Sequence, residues 1–230
     1  MEENTNYLNL KILGIISSII AVLWSLIGFV FILVGNMGFT DAPNSYMSNK
    51  TIYIAVVFLT ISFIISIISF FALKYLRTEQ KTAGKIWLFS TLGGILSFNL
   101  LSSPIFLSIG LFSLIRKNNT KNRNSLIILG LLSGSFVLFS NLINLLFKLF
   151  DKSLFDISFG IPLFLILILL SLIFAILGIV GSVKIASRPN QAKLLLIISG
   201  IGVLVSIGGL IAYNLIAGLI LLVIGFLVKK

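Results

Sequence analysis

The chain contains no cysteine and no histidine, and only six of its 230 residues are acidic. Without cysteine there is no disulfide, no thiolate nucleophile and no sulfur ligand for a metal; without histidine the commonest metal ligand and proton carrier is absent. Charged residues of both signs together make up 10% of the chain, too few to cover a water-soluble globule. These absences argue against an enzyme, and we expect no catalytic residues, no metal and no cofactor.

Apolar residues, by contrast, are abundant: 58% of the chain is hydrophobic and the mean hydropathy is +1.18. A helix needs about 20 apolar residues to cross the roughly 30 Å hydrocarbon core of a bilayer. Four runs have that length, at residues 11–35, 51–76, 125–150 and 157–183. Two longer stretches, 85–115 and 193–228, are interrupted at their centres and are predicted to be helical hairpins. The sequence therefore predicts an all-α, polytopic transmembrane bundle with eight spans.

The shortness of the first hairpin leaves a second topology open. Each leg of residues 85–115 has only about 15 residues, which is less than a full hydrocarbon crossing at the helical rise. The alternative is therefore that the two hairpins are re-entrant, and both topologies put the two termini on one side. In both, all of the 17 basic residues except Lys50, Lys148 and Lys152 fall on that side. Because basic loops stay in the cytoplasm, we expect a multi-pass cell-membrane protein with cytoplasmic N and C termini.

The chain repeats itself once. Residues 12–17, ILGIIS, recur at residues 128–133 as ILGLLS, an offset of 116 residues. From Ser62 onward the offset is 109 residues, because the predicted outer loop of the second copy is shorter. We therefore predict two four-helix membrane repeats, residues 1–117 and 118–230. Since each copy has an even number of spans, both insert in the same orientation, which predicts a pseudo-two-fold axis along the membrane normal.

Small residues recur on one face of the first, second, fifth and sixth predicted helices. Helices in lipid associate through close backbone approach at small residues and through hydrogen bonds between polar side chains. The predicted helix-packing residues are Gly14, Ser18, Ser25, Gly28, Ser62, Ser66, Ser69, Gly130, Gly134, Ser171, Ala175 and Gly178.

The fifth helix departs from this pattern by placing larger polar residues on the same face. The aligned pairs are Ser25 with Asn141, Gly28 with Asn144 and Ile32 with Lys148, and Asp151 follows one turn later. We favour the interpretation that the asparagines form hydrogen bonds between helices, while Lys148 extends to the outer interface and pairs with Asp151. In the alternative interpretation these four residues line a polar route or receive a polar solute.

The repeat unit has a recognisable order: a long helix, an outer loop, a second long helix, a short basic inner loop and a Gly/Ser-rich hairpin ending in two basic residues. In this order it resembles small four-span membrane proteins of unknown function from Gram-positive bacteria, here in tandem duplicate. The resemblance implies a bacterial membrane protein and no particular activity.

Two functions are consistent with these features. The favoured one is a non-enzymatic integral membrane accessory or scaffold protein that acts through helix contacts in the bilayer, with envelope stress and antimicrobial-peptide immunity as candidate settings. Its expected partners are membrane lipids, with another membrane protein as a candidate. The alternative is a transporter or channel component for a neutral, amphipathic or lipid-like solute. Basic residues are spread over every inner loop, so we expect no nucleic-acid partner.

Overall fold

The computed structural model describes residues 2–38, 49–96, 99, 101–115, 121–150, 160–206 and 211–228. Within these ranges the chain is all-helical, with eight α-helices. The helices are α1 (Glu2–Gly38), α2 (Asn49–Tyr75), α3 (Gln80–Leu96), α4 (Ser102–Ile115), α5 (Lys121–Phe150), α6 (Gly160–Lys184), α7 (Pro189–Val205) and α8 (Ile211–Leu227).

Four of the described helices are long and apolar enough to cross a membrane. The apolar segments are Leu8–Val30, Tyr53–Tyr75, Arg123–Leu142 and Leu165–Lys184. Shorter apolar helices cover Ser102–Ile115, Pro189–Val205 and Asn214–Leu227. At 1.5 Å per residue a helix of 14 to 17 residues is roughly 21 to 26 Å long, less than the usual hydrocarbon thickness.

Helix boundaries differ from the predicted apolar runs mainly at the N-terminal ends. α1 begins at Glu2, nine residues before the predicted run, and α5 begins at Lys121. Hydropathy detects only the apolar part of a helix, whereas backbone hydrogen bonds continue through the flanking polar residues.

Each predicted hairpin consists of two helices. In the first, Asn99 is the cap of α4: its side-chain Oδ1 accepts hydrogen bonds from the backbone N–H groups of Leu101, at 3.1 Å, and Ser102, at 3.0 Å. In the second, Pro189 stands in the first turn of α7, where its missing N–H would have had no helical partner. The Asn99 cap therefore accounts for the start of α4, and the proline for that of α7.

The chain divides into two compact units. The N-terminal unit is Tyr7–Gly110, and the C-terminal unit is Leu111–Lys230 together with Met1–Asn6. The N-terminal unit contains most of α1, all of α2 and α3 and the first part of α4, while α5 to α8 belong to the C-terminal unit.

Serine pairs join α1 to α2 in the N-terminal unit. The hydroxyls of Ser18 and Ser69 lie 2.6 Å apart, and Ser25 Oγ donates to Ser62 Oγ at 3.2 Å. All four side chains are buried. Hydroxyls that bond across a helix pair replace the water that lipid cannot supply, and they bring the two backbones close together.

Trp87 of α3 packs against α1 at Gly14. It is fully buried, and a Cβ built at Gly14 would lie 2.6 Å from its ring. Any side chain at residue 14 would therefore displace the indole, so this approach of α3 to α1 requires glycine.

Four small apolar side chains, one from each helix, form the core of the C-terminal unit. They are Val137, Ala175, Val203 and Ala217, and Leu138 and Phe174 pack against them. α7 and α8 approach closely at Gly200, where an added Cβ would lie 2.8 Å from the backbone nitrogen of Leu222 and 2.9 Å from the carbonyl oxygen of Gly218. The α7–α8 pair is thus held at a distance that only glycine permits.

Candidate functional site

The side chain of Asn141 connects three helices of the C-terminal unit. It projects from α5, is fully buried, and its Nδ2 donates to the carbonyl of Val137 at 2.8 Å and to Ser171 Oγ of α6 at 2.9 Å. The same nitrogen lies 3.5 Å from Oδ1 of Asn214 on α8, at the outer limit for a hydrogen bond. Nδ2 carries two hydrogens, and the bonds to Val137 and Ser171 use them. Asn214 is a third, weaker neighbour of the same nitrogen.

Helix register places this polar contact next to the apolar core. Ala175 follows Ser171 by one turn on α6, and Ala217 follows Asn214 by three residues on α8. Both alanines belong to the buried core with Val137, whose carbonyl also accepts from Asn141. Small side chains in the adjoining layer let the three helices approach closely enough for one carboxamide to reach all of them.

Two buried polar atoms at this contact have no hydrogen-bond partner among the described residues. They are Oδ1 of Asn141 and Nδ2 of Asn214. A carboxamide neither ionises nor attacks, so it supplies no acid, base or nucleophile; it can hold helices together or bind one neutral hydrogen-bonding group. Burying an unpaired acceptor and an unpaired donor lowers the free energy of unfolding by about 1–3 kcal/mol each.

The remaining members of the predicted polar face are placed as follows. Asn144 is half-buried on α5. Lys148 belongs to the helical backbone of α5, but its side chain lies outside the described residues, as does the whole of Asp151. The predicted pairing of Lys148 with Asp151 therefore lies outside the described part of the chain. Of the four, Asn141 is the residue whose hydrogen bonds the structure describes.

Asn214 contacts Asn141 but is not among the site residues predicted from the sequence. An offset of 115 residues, not 109, pairs it with Asn99, and both side chains are buried. The same offset pairs further buried residues of α4 with buried residues of α8: Ser102 with Ala217, Ser103 with Gly218, Phe106 with Leu221, Ile109 with Ile224 and Gly110 with Gly225. This correspondence is visible in the sequence, where residues 99–101 are NLL and residues 214–216 are NLI.

The N-terminal unit has a smaller version of the Asn141 contact. Ser25 and Ser62, the residues aligned with Asn141 and Ser171, are bonded to each other. The polar atom of serine is one bond closer to the backbone than that of a carboxamide, and the cross-helix bond of Ser25 goes to the neighbouring helix α2. The substitution of asparagine for serine therefore adds a third helix to the contact.

The predicted glycines of the C-terminal unit lie at close helix approaches. An added Cβ at Gly134 would lie 3.2 Å from the carbonyl oxygen of Ala175, and one at Gly178 would lie 2.7 Å from Ser199 Oγ. Gly130 contacts Ser182 of α6.

Two predicted serines of α2 bond within their own helix: Ser66 Oγ donates to the carbonyl of Ser62, and Ser69 Oγ to that of Ser66.

Gly28 of the N-terminal unit differs from these glycines. It is half-buried, and an added Cβ there would meet only the side-chain end of Leu59, at 2.7 Å.

No cluster of three or more acidic side chains that could hold a metal occurs in the described ranges of the chain. Comparison with protein families, with curated proteins and with solved structures finds no match to this chain.

Proposed function

We propose that this protein is a non-enzymatic integral membrane protein, an accessory or scaffold subunit that works through helix contacts within the bilayer. The observation that carries the proposal is the burial of Asn141 in bonds to two neighbouring helices. A polar residue that lined a solute route would keep its carboxamide exposed to an aqueous cavity. Here one amide hydrogen bonds the Val137 carbonyl within α5 and the other bonds Ser171 of α6, so neither is left for water, which favours a packed interior.

We further propose that the chain forms eight spans in a bacterial cell membrane, arranged as two parallel repeats with both termini in the cytoplasm. Equivalent contacts within the two units support the duplication. Gly93 approaches Ile65 as Gly202 approaches Phe174, and Gly110 approaches Leu88 as Gly225 approaches Ile197. The distribution of Lys and Arg supports the orientation.

The surfaces available for lipid or for a partner are the exposed apolar faces of the long helices. Val30 of α1 is 57% exposed, Phe71 of α2 is 58% exposed and Ile166 of α6 is 59% exposed. In water such surfaces would aggregate, whereas in a bilayer they contact acyl chains or the helices of another membrane protein.

Photocrosslinking in native membranes tests the scaffold function. With a photoreactive residue at Val57 or Ile61, neighbours on α2 that are both exposed, we expect one discrete adduct with the same membrane protein from both positions. The matched control is the exposed Thr78 in the turn after α2, which should not give that adduct. Adducts with lipid alone from every exposed helix face would contradict a scaffold function and leave transport as the stronger candidate.

A further inference from the structure

Four cations surround the turn between α2 and α3. Lys74 lies in the last turn of α2, Arg77 in the connecting turn, and Lys81 and Lys85 in the first two turns of α3. All four side chains are exposed. We call these four residues the basic turn.

The basic turn has little internal compensation for its charge. Glu79 is the only acid between residues 74 and 85, and its Oε2 accepts a hydrogen bond from Thr82 Oγ1 at 2.9 Å. Four cations and one acid within 12 residues leave a local net charge of +3. A surface of this kind attracts anions, and the attraction is strongest where water is partly excluded.

Exposed apolar residues continue directly from the cations. On α3, Lys81 and Lys85 are followed at helical spacing by Phe89 and Leu92, which are 49% and 52% exposed. On α2, the exposed Phe71 lies one turn before Lys74. Each helix thus carries cations at one end of an exposed apolar strip. A phospholipid has the complementary arrangement, with a charged headgroup at one end of its apolar acyl chains.

We propose that the basic turn binds the phosphate headgroup of an anionic phospholipid, whose acyl chains lie along the apolar strips of α2 and α3. Arg77 supplies a planar fork that matches two phosphate oxygens, and Lys81 and Lys85 supply point charges one helical turn apart. The apolar strips select a lipid over free phosphate, because a soluble anion would gain nothing from Phe89 and Leu92. This binding site is additional to the scaffold function and does not depend on it.

The turn between α6 and α7 provides a comparison within the same chain. At the repeat offset of 109 residues, Lys81 and Lys85 correspond to Asn190 and Leu194. The cations of that turn are Lys184, Arg188 and Lys193, and Lys184 Nζ donates to Gln191 Oε1 at 3.4 Å. α3 therefore has two cations one turn apart in line with exposed apolar residues, and α7 has no cation at the two corresponding positions.

Native mass spectrometry of the purified full-length protein tests the site. The probes are phosphatidylglycerol and phosphatidylcholine at equal concentration, which share acyl chains and differ in headgroup charge. The test variant is Lys81→Gln/Lys85→Gln, and the matched control is Arg188→Gln/Lys193→Gln, which removes the same charge from the other turn. Thermal unfolding of both variants checks that folding is unchanged, as expected for exposed side chains.

We expect the wild type to retain phosphatidylglycerol at least roughly tenfold more strongly than phosphatidylcholine. The affinity of the test variant for phosphatidylglycerol should be about ten- to thirtyfold lower than that of the wild type. The affinity of the control variant should stay within about twofold of the wild-type value. If the test variant fails to fold, Lys74→Gln/Arg77→Gln should show the same loss. Added salt should weaken the preference for the anionic lipid.

Three results would overturn the proposal. The first is equal retention of the two lipids by the wild type, and the second is an equal loss in both double variants, which would mean that only total charge matters. The third is displacement of phosphatidylglycerol by soluble glycerol phosphate at equal concentration, which would assign the turn to a free phosphate.

Discussion

The Asn141→Asp variant is expected to lose about 3 kcal/mol or more of its free energy of unfolding, the cost of an acidic side chain within a membrane helix or of a buried unpaired charge. The two side chains have nearly the same shape, so no cavity forms. The carboxylate would face the carbonyl oxygen of Val137, which lies 2.8 Å from the present Nδ2 and cannot donate. Ser171, and Asn214 after rotation of its amide, could each donate one hydrogen bond, which does not replace hydration of a charge.

Thermal or chemical unfolding in detergent micelles measures this loss, with Asn190→Asp as the matched control. Asn190 is exposed in the first turn of α7, where an acid suits the helix dipole, so its replacement should change stability by less than about 0.5 kcal/mol. Asn141→Leu should fall between the two, at about 1–2 kcal/mol, because it removes interhelical hydrogen bonds without adding charge. Equal stability of Asn141→Asp and wild type would mean that the side chain is hydrated.

The Gly200→Ala variant is expected to destabilise the α7–α8 pair by about 1–3 kcal/mol, although alanine is the better helix former. The added Cβ would lie 2.8 Å from the backbone nitrogen of Leu222 and 2.9 Å from the carbonyl oxygen of Gly218. Backbone atoms of a helix cannot rotate aside, so the two helices must separate and lose packing along their length. The same unfolding measurement detects the change.

Gly28→Ala is the matched control for this glycine. Its added Cβ would meet only the side-chain end of Leu59, which can change rotamer. We therefore expect a change within about 1 kcal/mol of wild type, with the helix propensity of alanine offsetting the adjustment. Equal losses at the two glycines would show that the backbone contact between α7 and α8 is not the cause.

Much of the helical fold is predictable from composition and periodicity. Apolar runs locate the four membrane-length helices, because lipid requires each span to be a continuous apolar helix. Spacing in steps of three and four puts Gly14, Ser18 and Ser25 on one face of α1, and in the structure all three are buried.

Contacts across helices are less predictable, because a stripe on one helix does not name its partner. The sequence marks Asn141 as unusual, but not that its side chain meets Asn214 of α8. The sequence alignment of Asn214 is also hidden, because the repeat offset changes from 109 to 115 residues before the last helix and pairs Asn214 with Asn99. Trp87 is a second case, since a tryptophan near the start of the apolar run 85–115 resembles an interfacial anchor, whereas its indole is buried against Gly14.

Accessibility of residue 141 to a charged thiol reagent separates helix packing from a solute route most directly. The chain has no cysteine, so Asn141→Cys and the exposed-turn control Glu79→Cys each introduce the only thiol. In permeabilised membranes, where a charged methanethiosulfonate reaches both faces, a packed α5–α6–α8 contact predicts full labelling of the Glu79→Cys variant and none of the Asn141→Cys variant. Labelling of the two variants at similar rates would contradict the packed contact and the scaffold function proposed from it.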